Sequence, residues 1–216
     1  MAHILIVGAS RGIGLETVKS ALAAGHQVRA LARSAATIPV SDPRLEKVSA
    51  DAKDKTALSD ALAGVDVVIM TLGVTPGIEP VLSGTRLFST ATRALIDAMT
   101  KAGVGRLVVI TGIGAGDSRG HGGAFYDWFM FPLALKRIYD DKDVQEQMVK
   151  ASGLDWTIVR PGLLTDEPRT GRYRALTDPA QWRVDRISRA DVADFLVEEA
   201  TVGTYRGQTP VVVAQR

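Results

Sequence analysis

Seven residues near the start of the chain, Gly8-Ala9-Ser10-Arg11-Gly12-Ile13-Gly14, have the composition and spacing of a phosphate-binding loop. The first glycine permits a tight turn. The second lets the backbone approach a pyrophosphate, and the third lets a helix sit close on a strand. N–H groups at the helix start add positive potential for the anion. Nineteen residues after Gly14, where a unit that selects a ribose hydroxyl carries a carboxylate, stands Arg33, followed by Ser34. No Asp or Glu occurs between Gln27 and Val40. A guanidinium fork suits a phosphate and offers nothing special to a hydroxyl. The pattern predicts NADP(H) as cofactor, with Arg11 able to close on the same phosphate. The bland alternative makes Arg11 and Arg33 solvated surface charges.

A second group is Tyr139 and Lys142, three apart and on one face if their segment is helical. Lys142 would hold a ribose, and its charge could lower the pKa of Tyr139. The alternative is a solvated helix end, since the run reads YDDKD. Reduction of a ketone by hydride needs a proton donor beside the oxygen. The residue after Thr111 is Gly112, which has no hydroxyl to offer. A flavin, quinone or tetrapyrrole delocalises the arriving charge and can take its proton from solvent. The expected acceptor is therefore flat and conjugated.

Arg169, Arg172, Arg174, Arg183, Arg186 and Arg189 could hold an anionic acceptor. Asp166, Glu167, Asp178 and Asp185 lie among them, so ordinary surface ion pairing is the competing expectation. Phe125, Tyr126, Trp128, Phe129 and Phe131 could wall a flat substrate, act as a lid, or belong to core or a partner surface. His121, between two glycines, reads as a loop residue.

Positioning these groups falls to an alternation of short apolar runs and amphipathic segments. Strands are predicted at His3–Val7, Gln27–Ala32, Leu45–Ala50, Val65–Met70, Arg106–Thr111, Trp156–Arg160 and Val211–Ala214. Helices are predicted over 13–24, 53–63 and 84–101, and in a segment containing 141–151. The stripe of the third is Leu87, Phe88, Ala91, Ala94, Leu95, Ala98 and Met99. Ser188, with Asp191 three positions on, opens a last helix through a capping-box pattern. The alternation predicts an α/β fold of the Rossmann type, a doubly wound parallel sheet with helices on both faces. One domain is expected over 1–216, with a small substrate-side region around 161–189.

Of the 216 residues, 46% are hydrophobic and 23% charged, a balance that excludes a disordered chain. There is no cysteine, which removes thiolate metal sites, disulfides and cysteine nucleophiles. A net charge of +2 gives no argument for nucleic acid or an anionic membrane. The three histidines lack metal-ligand spacing. No stretch reads as a signal peptide or a membrane span, so a cytoplasmic protein with a small-molecule substrate is the expectation.

Together these residues resemble the short-chain dehydrogenase/reductase superfamily, in its extended-to-atypical branch, along essentially the whole chain. The marks are the GASRGIG loop, Arg33, Asp51-Ala52, MTLG (70–73), SGLDWTIVRPG (152–162) and ISRADVADFL (187–196). LTDEPRTGRY (164–173) looks like the flavin reductase/biliverdin-IXβ reductase type. For the cofactor, the resemblance adds to Gly8, Ser10, Arg11, Gly12, Ile13, Gly14 and Arg33 a set of further contacts. Asp51 and Ala52 would meet the adenine. Leu72 and Gly73 would line the path to the nicotinamide, and Pro161, Gly162, Leu163 and Leu164 would cover it. Thr111 would stand beside the ring and join Tyr139 and Lys142 as the catalytic set. The chain departs from the best-known branch, where tyrosine and lysine are four apart and many relatives carry serine at the position of Gly112. Glu146 occupies the position that resembles the active-site histidine of the biliverdin reductase type. The implied activity is NADPH-dependent reduction of a flat conjugated acceptor. A regulator that binds NADP without turnover is the second reading, and a nucleotide-sugar epimerase or dehydratase a third.

Overall fold

The computed structural model describes residues 1–74, 85–121 and 136–215. Its elements run β1 (His3–Val7), α1 (Gly12–Ala23), β2 (Gln27–Ala32), β3 (Leu45–Ser49), α2 (Lys55–Ala61), β4 (Val67–Met70), α3 (Leu87–Ala102) and β5 (Arg106–Ile110). They continue with α4 (Lys136–Lys150), β6 (Asp155–Pro161), β7 (Leu163–Thr165), β8 (Tyr173–Leu176), β9 (Arg186–Ser188), α5 (Arg189–Val202) and β10 (Val211–Ala214).

Eight strands form one sheet in the order β3-β2-β1-β4-β5-β6-β10-β8. All neighbours are parallel except β10 and β8. The predicted Rossmann-type sheet is thus observed, with an antiparallel edge that the sequence reading did not contain. The chain leaves β1 to build β2 and β3 on one side, then returns to place β4 on the other. That reversal opens a crevice at the carboxyl end of β1, where such sheets bind ligands.

β1 is a continuous apolar run because both faces of the sheet are covered. Ile4 and Ile6 pack on one side with Val18 and Leu22 of α1 and Val192 and Leu196 of α5. Leu5 and Val7 face the other side, with Leu58 of α2, Leu95 and Met99 of α3 and Val149 of α4. Each large apolar side chain buried this way contributes about 1.5–3 kcal/mol.

Element ends shift where side chains cap them. Asp54 accepts from the N–H groups of Thr56 and Ala57, so α2 starts at Lys55 and not at 53. Ser188 accepts from Asp191 N, as the capping pattern predicted. α3 receives its cap from another helix: the Asp141 carboxylate on α4 accepts from Phe88 N at 2.9 Å and from Ser89 N at 3.3 Å. Leu87, placed on the buried stripe by the sequence, is half-buried and faces the crevice. β7 and β9 form a separate two-stranded sheet. These strands and β8 are three or four residues long, too short to show a period. No described helix is long and apolar enough to cross a membrane.

Candidate functional site

The crevice at the sheet's carboxyl edge is a cleft of about 540 Å³. It collects most of the residues singled out from the sequence. Gly8, Ser10, Arg11, Gly12 and Ile13 come from the β1–α1 loop, and Arg33 and Ser34 from the end of β2. Asp51 and Ala52 follow β3, Leu72 and Gly73 follow β4, and Thr111 follows β5. Lys142 enters from α4, and Pro161 and Leu164 from the end of β6 and from β7. Gly14, Gly162, Leu163 and Tyr139 are not in its wall.

The glycines have separate reasons. Gly8 has φ +96°, and a β-carbon there would lie 3.0 Å from the backbone of Thr71 and Leu72. Gly14 fixes packing: its β-carbon would stand 2.1 Å from the Gly8 carbonyl oxygen and 2.7 Å from Thr71 Oγ1. Gly162 is likewise closed in, 2.1 Å from the Asp185 carbonyl oxygen by the same measure. Arg11 occupies the N-cap of α1 in an extended conformation and its side chain makes no cap hydrogen bond. Among the described residues, the N-cap side chain supplies no oxygen to the first-turn N–H groups. A strand, a tight glycine loop and an uncapped helix start are what a dinucleotide pyrophosphate requires, so the residues present fit that group.

The Ser34 hydroxyl donates to Ser10 Oγ at 3.0 Å and ties the loop to the end of β2. Arg33 beside it is exposed and makes no salt bridge among the described residues.

The other end of the cleft is built from β5 and α4. Lys142 Nζ donates to the Thr111 carbonyl and lies 5.0 Å from the Tyr139 ring centre and 5.1 Å from that of Phe88. Burial pushes the Lys142 ammonium down to about 8, while the Glu146 carboxylate pulls the other way. The expectation of a solvated helix end fails here, because α4 turns this face toward the sheet. The Tyr139 hydroxyl lies 2.6 Å from where a Gly112 β-carbon would be, and the ring packs beside Lys142 without lining the cleft.

Sequence reasoning noted Glu146 only as a departure. It is in fact buried in a hydrogen-bonded pair with Arg160. Arg160 Nε donates to Oε1 at 3.0 Å and Nη2 to Oε2 at 2.6 Å. The Thr111 hydroxyl donates to the same Oε1 at 2.7 Å. The one legible signal was its spacing, one helical turn beyond Lys142.

The arginine-rich stretch divides into ion pairs, as the competing expectation held for three of its members. Arg169 pairs with Asp194, Arg189 with Asp166 at 2.6 Å, and Arg183 with Asp185 at 3.8 Å. Arg189 alone among them lines the cleft. His121 is a loop residue, and its ring meets Trp182 edge-on at 5.3 Å. The aromatic run 125–131 lies outside the described residues.

The family model described as NAD(P)H-binding matches residues 8–201. The chain is 29% identical over 180 residues to protein TIC 62, chloroplastic, of Arabidopsis thaliana, covering 74% of this chain and 27% of that protein. It is 30% identical over 160 residues to an NAD(P)H azoreductase of Xenophilus azovorans, covering 74% of this chain and 47% of the relative. The chain thus spans about a quarter to a half of the length of these two relatives. Among solved structures, that of ChuY, an anaerobillin reductase from Escherichia coli O157:H7, matches with a TM-score of 0.78 at 25% identity, covering 99% of this chain and 97% of the other.

Proposed function

Because the chain belongs to the NAD(P)H-binding family, of atypical short-chain reductase type, we propose that it is an NADPH-dependent oxidoreductase whose acceptor is a flat conjugated molecule such as a flavin, quinone or tetrapyrrole. When bound, the reduced nicotinamide supplies hydride. The chain's own residues bind, orient and exclude water. In this reading the β1–α1 loop takes the pyrophosphate, Arg33 and Arg11 the 2′-phosphate, and Asp51 and Ala52 the adenine. Lys142 and Thr111 hold the ribose and nicotinamide end, under Pro161 and Leu164.

The observation that carries the acceptor class is the contact between Tyr139 and Gly112. The tyrosine hydroxyl is turned to the glycine, which leaves no room for a serine side chain. The serine–tyrosine relay of a ketone reductase is therefore incomplete at the described cleft wall, where Gly112 offers no hydroxyl and Tyr139 is not a lining residue. A conjugated acceptor needs no such relay, since it spreads the arriving charge. Two similar proteins being named as reductases supports the same reading. The missing relay also favours a second reading, an NADP-binding regulator without turnover.

Steady-state oxidation of NADPH with FMN, riboflavin, a quinone and a simple ketone separates these. Turnover of a flavin or quinone but not the ketone is the expected result. Ketone reduction alone would overturn the acceptor class. Tight NADP binding with no turnover would leave the regulator.

A further inference from the structure

Three turns of α4 bear on two residues at the end of β5. Tyr139 stands on Gly112, Lys142 donates to the Thr111 carbonyl, and Glu146 accepts from the Thr111 hydroxyl. Lys142 and Glu146 are one turn apart and so share a face. Thr111 is gripped at its carbonyl and its hydroxyl by one helix.

Glu146 is 1% exposed and Arg160 is wholly buried. Arg160 belongs to β6, and the next residue, Pro161, lines the cleft. The backbone closes on the pair, since a β-carbon on Gly116 would lie 2.5 Å from Glu146 Oε2 and 2.7 Å from Arg160 Nη2. Packing alone does not explain a buried ion pair, because apolar residues of like volume commonly serve stability as well or better. What a carboxylate adds here is an acceptor for Thr111 and a negative charge one turn from Lys142.

We propose that Glu146 is a positioning residue: acting through Thr111 and Lys142, it holds the ammonium and the end of β5 in register at the acceptor end of the cleft. The inference rests on the reductase reading of that cleft.

The charged and titratable groups around this cluster come from each packed element. α4 itself supplies Tyr139 and Lys150, whose Nζ is 3.7 Å from Glu146 Oε2. It also supplies Asp143, which accepts from Gly116 N and from Arg119. β6 supplies Arg160, and the loop after β5 supplies Asp117, which accepts from Arg160 Nη2 at 2.6 Å. Glu146 is the carboxylate whose charge opposes the effect of burial on Lys142. Removing that charge must make the ammonium easier to deprotonate.

The test uses the full chain as wild type, Glu146→Gln, Glu146→Asp and Thr111→Val. Lys142 is titrated by competitive acylation, NADPH affinity is read by fluorescence, and kcat is measured with FMN. Glu146→Gln should lower the Lys142 midpoint by about half a pH unit or more, the scale of one nearby charge. It should lower kcat about tenfold or more, as misplacement of a reacting group does, with NADPH affinity changed less than about threefold. Glu146→Asp should keep the midpoint near the wild-type value. Thr111→Val should lower kcat but leave the midpoint in place.

An unchanged midpoint in a folded Glu146→Gln protein overturns the proposal, as do equal losses in the Gln and Asp variants that track thermal stability. Should Glu146→Gln fail to fold, wild-type kcat in Thr111→Val overturns it instead. The titration and the affinity need no acceptor. A protein that reduces nothing therefore answers the proposal while failing the reductase reading.

Discussion

The Tyr139 hydroxyl stands 2.6 Å from the point where a β-carbon on Gly112 would lie. Gly112 also has φ +149°, a conformation that side chains rarely adopt. Introducing serine at this position should therefore fail. Gly112→Ser is expected to destabilise the fold by about 1–3 kcal/mol, the cost of a strained backbone site, and to give no ketone reduction. Chemical denaturation and a ketone assay check both parts. A stable variant with ketone turnover would mean that Tyr139 gives way to the new side chain with ease.

Tyr139→Phe separates the acceptor classes. With FMN or a quinone, kcat should change only modestly, because solvent protonates the product. A general acid would cost about 10²–10⁴-fold on removal. A loss of that size in the steady-state assay would restore a tyrosine-dependent dehydrogenase.

Arg33 is exposed at the cleft mouth beside Ser34. Arg33→Ala should weaken NADP binding by about 1.5–3 kcal/mol, the scale of a charged hydrogen bond, and leave NAD nearly unchanged. Calorimetry with both cofactors checks this, and equal losses would remove Arg33 from the 2′-phosphate.

The loop glycines should respond differently to substitution. A β-carbon on Gly14 meets the Gly8 carbonyl at 2.1 Å, so Gly14→Ala must push α1 off β1. It should destabilise the protein by about 1–3 kcal/mol or more, as overpacking does. At Gly12, with φ +54°, the nearest atom to a β-carbon is Arg189 Nε at 3.9 Å. Gly12→Ala should fold with a milder loss and weaken dinucleotide binding. Thermal melts with and without NADP read both, and identical behaviour of the two variants would show that the loop is only a turn.

Lys142 sets a pH limb. Burial lowers its ammonium to about 8. The charged form is full below that value and is lost as pH rises through it. If the ammonium holds the ribose, kcat/KM should fall through about pH 8. Lys142→Ala should lower activity and abolish the limb. A limb that survives in Lys142→Ala belongs to another group.

The start of this fold was open to sequence reading because its causes are local. An apolar run, a glycine loop and a helical stripe lie within residues 3–24, and β1, the loop and α1 formed there. The Ser188 cap is the same kind of case, with donor and acceptor three residues apart. The cleft was legible too, since parallel strands bring their carboxyl ends to one edge. Gly8, Arg33, Asp51, Leu72, Thr111 and Pro161 each end a strand or follow one closely, so naming the strands placed them together.

Tertiary structure decided what depends on direction rather than order. The spacing of Tyr139 and Lys142 put them on one helix, but only the packing of α4 on β5 turned the tyrosine to Gly112 and the lysine to Thr111. Glu146 and Arg160 sit on a helix and a strand, and no local pattern joins them. Their pairing arises because a buried charge must be compensated, and the packing of α4 on β6 brings the two together. The small strands β7, β8 and β9 followed the same logic: each is too short for a period, and each exists because a neighbouring strand offered an edge. Sequence alone determined the glycine loop and the alternation of strands and helices that makes a parallel sheet. Long-range packing, which fixes side-chain direction and local dielectric, decided which polar groups face the cleft.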